Sequence, residues 1–141
     1  RERQMCIRDS PHTVAYHPSC HGMRLLRLGD RQKKLLETVE GTTVISPAHE
    51  DTCCGFGGTF SVKNPQVSSA MLGDKVDALI NTGADVCTGG DASCLMHIGG
   101  GLSRTRELKP QDTHIPPTVH LARILASTKE RPLTLTGGSV R

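Results

Sequence analysis

Tryptophan is missing from this chain of 141 residues, which has only one tyrosine and two phenylalanines. Leu, Val, Ile, Ala and Met must therefore fill the interior, which suits helices packed closely on a parallel sheet. The same scarcity removes the aromatic platforms on which single-stranded nucleic acids stack. A net charge of +3, scattered without a basic stripe, removes the electrostatic footprint as well, so no nucleic acid is expected as a partner. No apolar run approaches the roughly 18 residues of a membrane span, and no signal-peptide pattern opens the chain. Without a secretion signal, the six cysteines are expected to bind metal or do redox chemistry in the cytoplasm, not to form a disulfide framework. A domain this long buries roughly 70% of its unfolded surface and needs no bridges to fold.

What the chain does have is strand–helix alternation. Thr13–Tyr16 is a short β-rich run ended by His17-Pro18. A helix is expected from Cys20 through Leu28, broken at Gly29-Asp30 and resuming from Arg31 to Val39 with Leu35, Leu36 and Val39 on one face. Residues 42–46 read as a second strand, and 47–58 as a polar loop. The best helix starts at Asn64-Pro65, an N-cap followed by a first-turn proline, and ends at Thr82 before Gly83. Its expected apolar stripe is Val67, Met71, Leu72, Val76, Leu79 and Ile80. Residues 84–88 read as a third strand, followed by a helix from Ala92 carrying Cys94 to Ile98, with Gly99-Gly100-Gly101 after it. A last helix is expected over 118–126. This order predicts an α/β fold, a mostly parallel sheet flanked by helices. The domain is expected over residues 11–128. Residues 1–10 read as a non-native or disordered segment in which Met5–Ser10 looks like translated adaptor sequence, so Cys6 is given no role. Residues 129–141 read as a flexible tail.

The run Cys53-Cys54-Gly55-Phe56-Gly57-Gly58 stands out. Adjacent side chains of an extended segment point to opposite faces, so both thiolates reach one centre only if the chain bends. The glycines permit that bend. Cys20, the Cys53–Cys54 pair and Cys94 each follow an expected strand, and ligand sites in parallel sheets collect at those loops. Four cysteines from three segments are thus expected to converge on a metal or iron–sulfur centre. Cys87, in mid-strand, reads as a small buried hydrophobe.

The other polar residues leave alternatives open. His17 and His21 flank Cys20 and His97 follows Cys94, so a Cys/His zinc site is chemically reasonable. Such histidines also serve as donors behind the ligands. His12, His49, His114 and His120 follow no pattern and are expected to face solvent. Asp91, three residues before Cys94, either caps the following helix or offers an oxygen to iron. The glycine runs fit neither the dinucleotide fingerprint nor a P-loop. A vicinal cysteine pair closes only a strained disulfide ring, which argues against a thiol–disulfide enzyme.

Taken together, His17-Pro18-Ser19-Cys20-His21, Cys53–Ser61 and Gly90-Asp91-Ala92-Ser93-Cys94-Leu95 resemble the cysteine-rich CCG domain. That domain occurs in heterodisulfide reductases, in the iron–sulfur subunits of glycolate oxidase and in anaerobic glycerol-3-phosphate dehydrogenases. The detail is closest to the lactate-utilisation group of the family. The resemblance implies an iron–sulfur electron-transfer subunit of an oxidoreductase complex oxidising L-lactate to pyruvate. Its partners would be the other iron–sulfur and accessory subunits, one of which would meet the substrate. Carried over, Cys20, Cys53, Cys54 and Cys94 would be ligands. Asp91 stands where the family has the first cysteine of a Cys-x-x-Cys. A 4Fe-4S cluster, with or without help from Asp91, is therefore expected ahead of the five-cysteine noncubane form. Family members commonly carry two such domains. This chain holds one, resembles the C-terminal copy and is expected to be a fragment.

Overall fold

Short runs of β-branched and small apolar residues form four strands: β1 (Thr13–Tyr16), β2 (Thr43–Ile45), β3 (Val86–Gly89) and β4 (Thr118–His120). The structure, a computed structural model, describes residues 10–135. The readings of residues 1–9, including Cys6, and of 136–141 lie outside the described residues. The strands pair in the order β2-β1-β3-β4, and every pairing is parallel. Chain order therefore runs outward in both directions from the β1–β3 seam. In open α/β sheets this reversal leaves a crevice at the strand C-termini, where ligands bind.

Helices α1 (Arg31–Glu37), α2 (Thr59–Lys63), α3 (Pro65–Asn81), α4 (Ala92–Leu108) and α5 (Leu121–Leu125) complete the α/β fold. The strand alternation sorts the core into two layers. Val14 and Tyr16 of β1 join Leu36, Val86, Val119 and Ile124 on one face, the side of α1 and α5. Ala15 joins Cys87, Val76, Leu79, Ile98 and Leu102 on the other, the side of α3 and α4. Leu79 and Ile98 are fully buried; truncating either to alanine would cost about 2–5 kcal/mol. Leu133 is also buried, and Leu135 packs on the same layer, so the start of the segment read as a tail lies against the core.

Several expectations need correction. The first part of the helix expected over 20–28 is a single wide turn, in which Leu26 N donates to His21 O five residues back. Gly22 lies too close to Ser19 Oγ, 3.0 Å from where its Cβ would be, for an ordinary helical side chain there. The stretch 118–120 is strand, not helix: Cys87 N donates to Pro117 O, and Thr88 Oγ1 to Val119 O, so pairing with β3 overrides the local pattern. Helix α4 runs straight through Gly99-Gly100-Gly101. A Cβ at Gly99 would come 2.8 Å from Thr118 Oγ1, and one at Gly101 2.8 Å from a Val76 methyl. These glycines let α4 approach β4 and α3 instead of ending it. On α3, Val67 is exposed, whereas Lys75 is buried within the stripe. Asn64 precedes α3 as expected, but its side chain makes no capping bond. Of the histidines read as solvent-facing, His49 and His114 are exposed and His12 and His120 are half-buried. His120 Nδ1 accepts from Ala122 N at 3.1 Å.

Candidate metal centre

Three of the four strands deliver the segments that follow them to the same rim. The chain leaves β1 through His17-Pro18-Ser19 to Cys20. It returns from β2 through a long loop to Cys53 and Cys54, and it leaves β3 through Gly90 and Asp91 to Cys94 in the first turn of α4. Cys20, Cys53, Cys54, Asp91 and Cys94 line one cavity of about 550 Å³. All five residues singled out from the sequence thus meet in one place. None of the five described cysteines forms a disulfide.

The vicinal pair is bent as its glycines require. Gly55 has φ +89°, and a Cβ there would lie 2.7 Å from the Ser68 carbonyl oxygen. Ser68 Oγ donates to the Gly55 carbonyl at 2.8 Å, so only glycine lets the loop lie this close on α3. The bend also turns backbone donors toward sulfur. Gly55 N donates to Cys53 Sγ at 3.3 Å, and Phe56 N–H supports Cys54. Lys75 lies behind this loop, 2% exposed, with Nζ donating to the His49 and Glu50 carbonyls at 3.0 and 3.4 Å. Burial lowers its pKa, while the Cys54 thiolate opposes that shift.

The sulfurs are electrostatically coupled. The Cys94 thiol donates to Cys54, which holds Cys54 down at about 4 even though burial opposes the shift. For the same reason Cys94 is raised: it keeps the proton that stabilises its neighbour, with burial adding to the effect. Burial and a hydrogen bond with Cys53 raise Cys20. Cys87, fully buried on β3, is pushed up to about 12 by desolvation, and it does not line the cavity. A soft cation displaces such shared protons, because thiolate is the binding form.

The histidines separate clearly. His21 is exposed, and His97 packs edge-on against Phe56 with centroids 5.6 Å apart. His17 is 1% exposed. One of its ring nitrogens and the Cys54 and Cys94 sulfurs all lie within 4.8 Å of one another. Neither of its nitrogens makes a well-formed hydrogen bond, although the ring is near enough to help lower Cys54. Asp91 is a helix cap: its Oδ1 accepts from Ser93 N at 2.9 Å, from Cys94 N at 3.3 Å and from the Ser93 hydroxyl. Those bonds, the Ser93 hydroxyl foremost, hold its carboxyl below the usual carboxylate range.

Sequence reading missed Lys75 behind the loop. Its signal was present, since it lies seven residues after Ser68 and four before Leu79, both buried on the same face of α3. The donor set suits a thiophilic metal or cluster: four sulfurs, backbone donors aimed at two of them, and a buried imidazole without a partner. Among the described residues no helix is long and apolar enough to cross a membrane.

Comparison with known proteins identifies the family of the chain. The family model described as CCG, a cysteine-rich domain, matches residues 14–99. Lactate utilization protein A of Exiguobacterium sp. is 45% identical over 115 residues, covering 82% of this chain and 44% of that protein. The protein of the same name from Oceanobacillus iheyensis is 41% identical over 117 residues, covering 83% of this chain and 45% of the relative. That from Macrococcus caseolyticus is 51% identical over 88 residues, covering 62% and 36% respectively. The chain therefore spans less than half the length of these curated relatives.

Proposed function

We propose a function from one premise: the chain belongs to the CCG cysteine-rich domain family. It binds an iron–sulfur cluster, of the 4Fe-4S type, through Cys20, Cys53, Cys54 and Cys94, and serves as an electron-transfer component of an oxidoreductase that uses L-lactate. The unit that does this runs over residues 11–128 and works in the cytoplasm with further iron–sulfur and accessory subunits, one of which meets the lactate. Names of the relatives support the lactate assignment. The observation that carries the reading is the convergence of four thiols on one cavity at the strand C-termini.

When bound, such a cluster accepts and returns single electrons. The chain's own residues supply the setting. Cys54 is already biased toward thiolate. Gly55 and Phe56 direct N–H groups at sulfur, and donors of this kind stabilise the more negative oxidation state. Lys75 adds buried positive charge behind the same loop, which acts in the same direction. Ile98, Leu95 and Cys87 keep water from the sheet side.

Anaerobic reconstitution with iron and sulfide tests this. The expected product is coloured and contains iron and acid-labile sulfide together, and a colourless protein without iron would defeat the reading. A second reading, a structural zinc site, is favoured by one observation, the His17–Cys54–Cys94 group. It predicts stoichiometric zinc, no visible absorption and no sulfide in the same assay.

A further inference from the structure

Of the four candidate ligands, Cys54 is the one most shielded from water. It is 1% exposed, whereas Cys20, Cys53 and Cys94 are half-buried. A buried thiolate is unfavourable unless hydrogen-bond donors surround it. Phe56 N–H and the Cys94 thiol supply two, but the second is lost when Cys94 itself becomes a ligand and gives up its proton. The Cys54 sulfur then needs another donor from the protein.

His17 is placed to be that donor. Alternation along β1 sets Ala15 and then His17 on the α3–α4 face, where Ala15 and Cys54 belong to one core cluster. His17 N donates to Thr88 O at 2.8 Å, which ties the residue to β3. Its side chain is 1% exposed and does not line the cysteine cavity, so it meets Cys54 from behind. A ring nitrogen lies within 4.8 Å of the Cys54 sulfur, and neither nitrogen makes a well-formed hydrogen bond. Neutral imidazole carries one N–H, and the torsion that turns the ring is broad, so a rotation brings that N–H onto the sulfur. Gly55 N and Cys53 Sγ, 3.3 Å apart, show the length of such a bond in this loop.

Other pairings are weaker. The Cys94 sulfur also lies within 4.8 Å of the ring, but its shift comes first from Cys54 and then from burial, whereas His17 favours the Cys54 thiolate. His21 is exposed and acts on Asp91. The His97 ring packs edge-on against Phe56.

We propose that His17 is a positioning residue that donates a ring N–H to Cys54 Sγ and thereby raises the reduction potential of the centre, without binding metal itself. The proposal rests on the iron–sulfur reading. A donor to a ligand sulfur stabilises the more negative oxidation state, and this one is sealed from water, which cannot replace it.

The test uses the full chain reconstituted anaerobically with iron and sulfide. His17→Leu, which has no donor, is expected to keep its iron and sulfide and to lower the midpoint potential by about 59 mV, a tenfold shift in a one-electron equilibrium. His17→Gln, which retains an N–H, should stay closer to wild type, and His97→Leu should match wild type. A wild-type midpoint in His17→Leu, or an equal fall in His17→Leu and His17→Gln, overturns the proposal. If His17→Leu does not fold, pulsed EPR of wild-type protein carrying 15N only in histidine decides. A weak coupling, lost in His17→Gln and kept in His97→Leu, is expected. No histidine coupling, or the strong coupling of a directly bound nitrogen, overturns the proposal and leaves the iron–sulfur reading intact. Wild-type protein that takes up neither iron nor sulfide overturns both.

Discussion

The two ends of the sheet carry cavities of nearly equal size, about 550 Å³ beside the cysteines and about 540 Å³ at the opposite end. Both are lined by titratable side chains. At the far end, three of the polar groups are already committed to backbone. Asp85 Oδ2 accepts from Thr13 N at 2.9 Å, Arg106 donates to Ile115 O at 3.1 Å, and His114 Nε2 meets Ala84 O at 2.9 Å. These bonds tie the loops that enter β1, β3 and β4. At the cysteine end, thiols bond to one another, and neither ring nitrogen of His17 makes a well-formed hydrogen bond. Cavity volume does not tell a ligand site from a structural junction. Unused bonding capacity is the better guide, because folds satisfy nearly all of their buried polar groups.

The largest effect that could break this contrast concerns metal. Cys54→Ser is expected to lower bound iron and sulfide by about tenfold or more, whereas His114→Ala at the other cavity should leave both unchanged. Equal metal content in the two variants would erase the distinction. Lys75→Met comes next. Both loop carbonyls lose their donor, so the urea midpoint should fall by an amount equivalent to about 1–3 kcal/mol near neutral pH. Burial holds the Lys75 pKa below its ordinary value of 10.5, so the folded state releases that proton first. Stability owed to this group therefore rises as pH climbs from the lowered value toward 10.5. The variant should lack that rise, read as the difference between its urea midpoints and those of wild type across alkaline pH.

The smallest effect sharpens the role of Asp91. Asp91→Ala removes a helix cap and is expected to cost about 1 kcal/mol with no loss of iron. The carboxyl is held low in the folded state, so its contribution is complete above the ordinary carboxylate range, near pH 4, and is lost as pH falls through the folded value. Urea midpoints of wild type and variant should thus differ at pH 7 and converge in acid. Iron lost from Asp91→Ala would transfer Asp91 from the helix to the metal.

The residues of the candidate site could be picked out from the sequence because their signals are local. Cysteines beside glycines, each just past a β-rich run, need no knowledge of distant contacts, and the parallel α/β alternation follows from the same punctuation. His17 could be noticed beside Cys20 but not separated from His21 and His97. Only packing decides which imidazole is buried without a partner.

Sequence alone determined that this chain builds a parallel α/β domain, that Cys20, Cys53–Cys54 and Cys94 follow its strands, and that Gly55 bends the vicinal pair. Tertiary structure alone decided that residues 118–120 join β3 as a strand, that three glycines continue α4, that Lys75 lies under the cysteine loop, and that His17 faces two sulfurs. Periodicity, caps and turns are properties of neighbouring residues, written in order along the chain. Strand pairing, close helix approach and unmet buried valence arise between residues remote in sequence, and they are settled only when the layers come together.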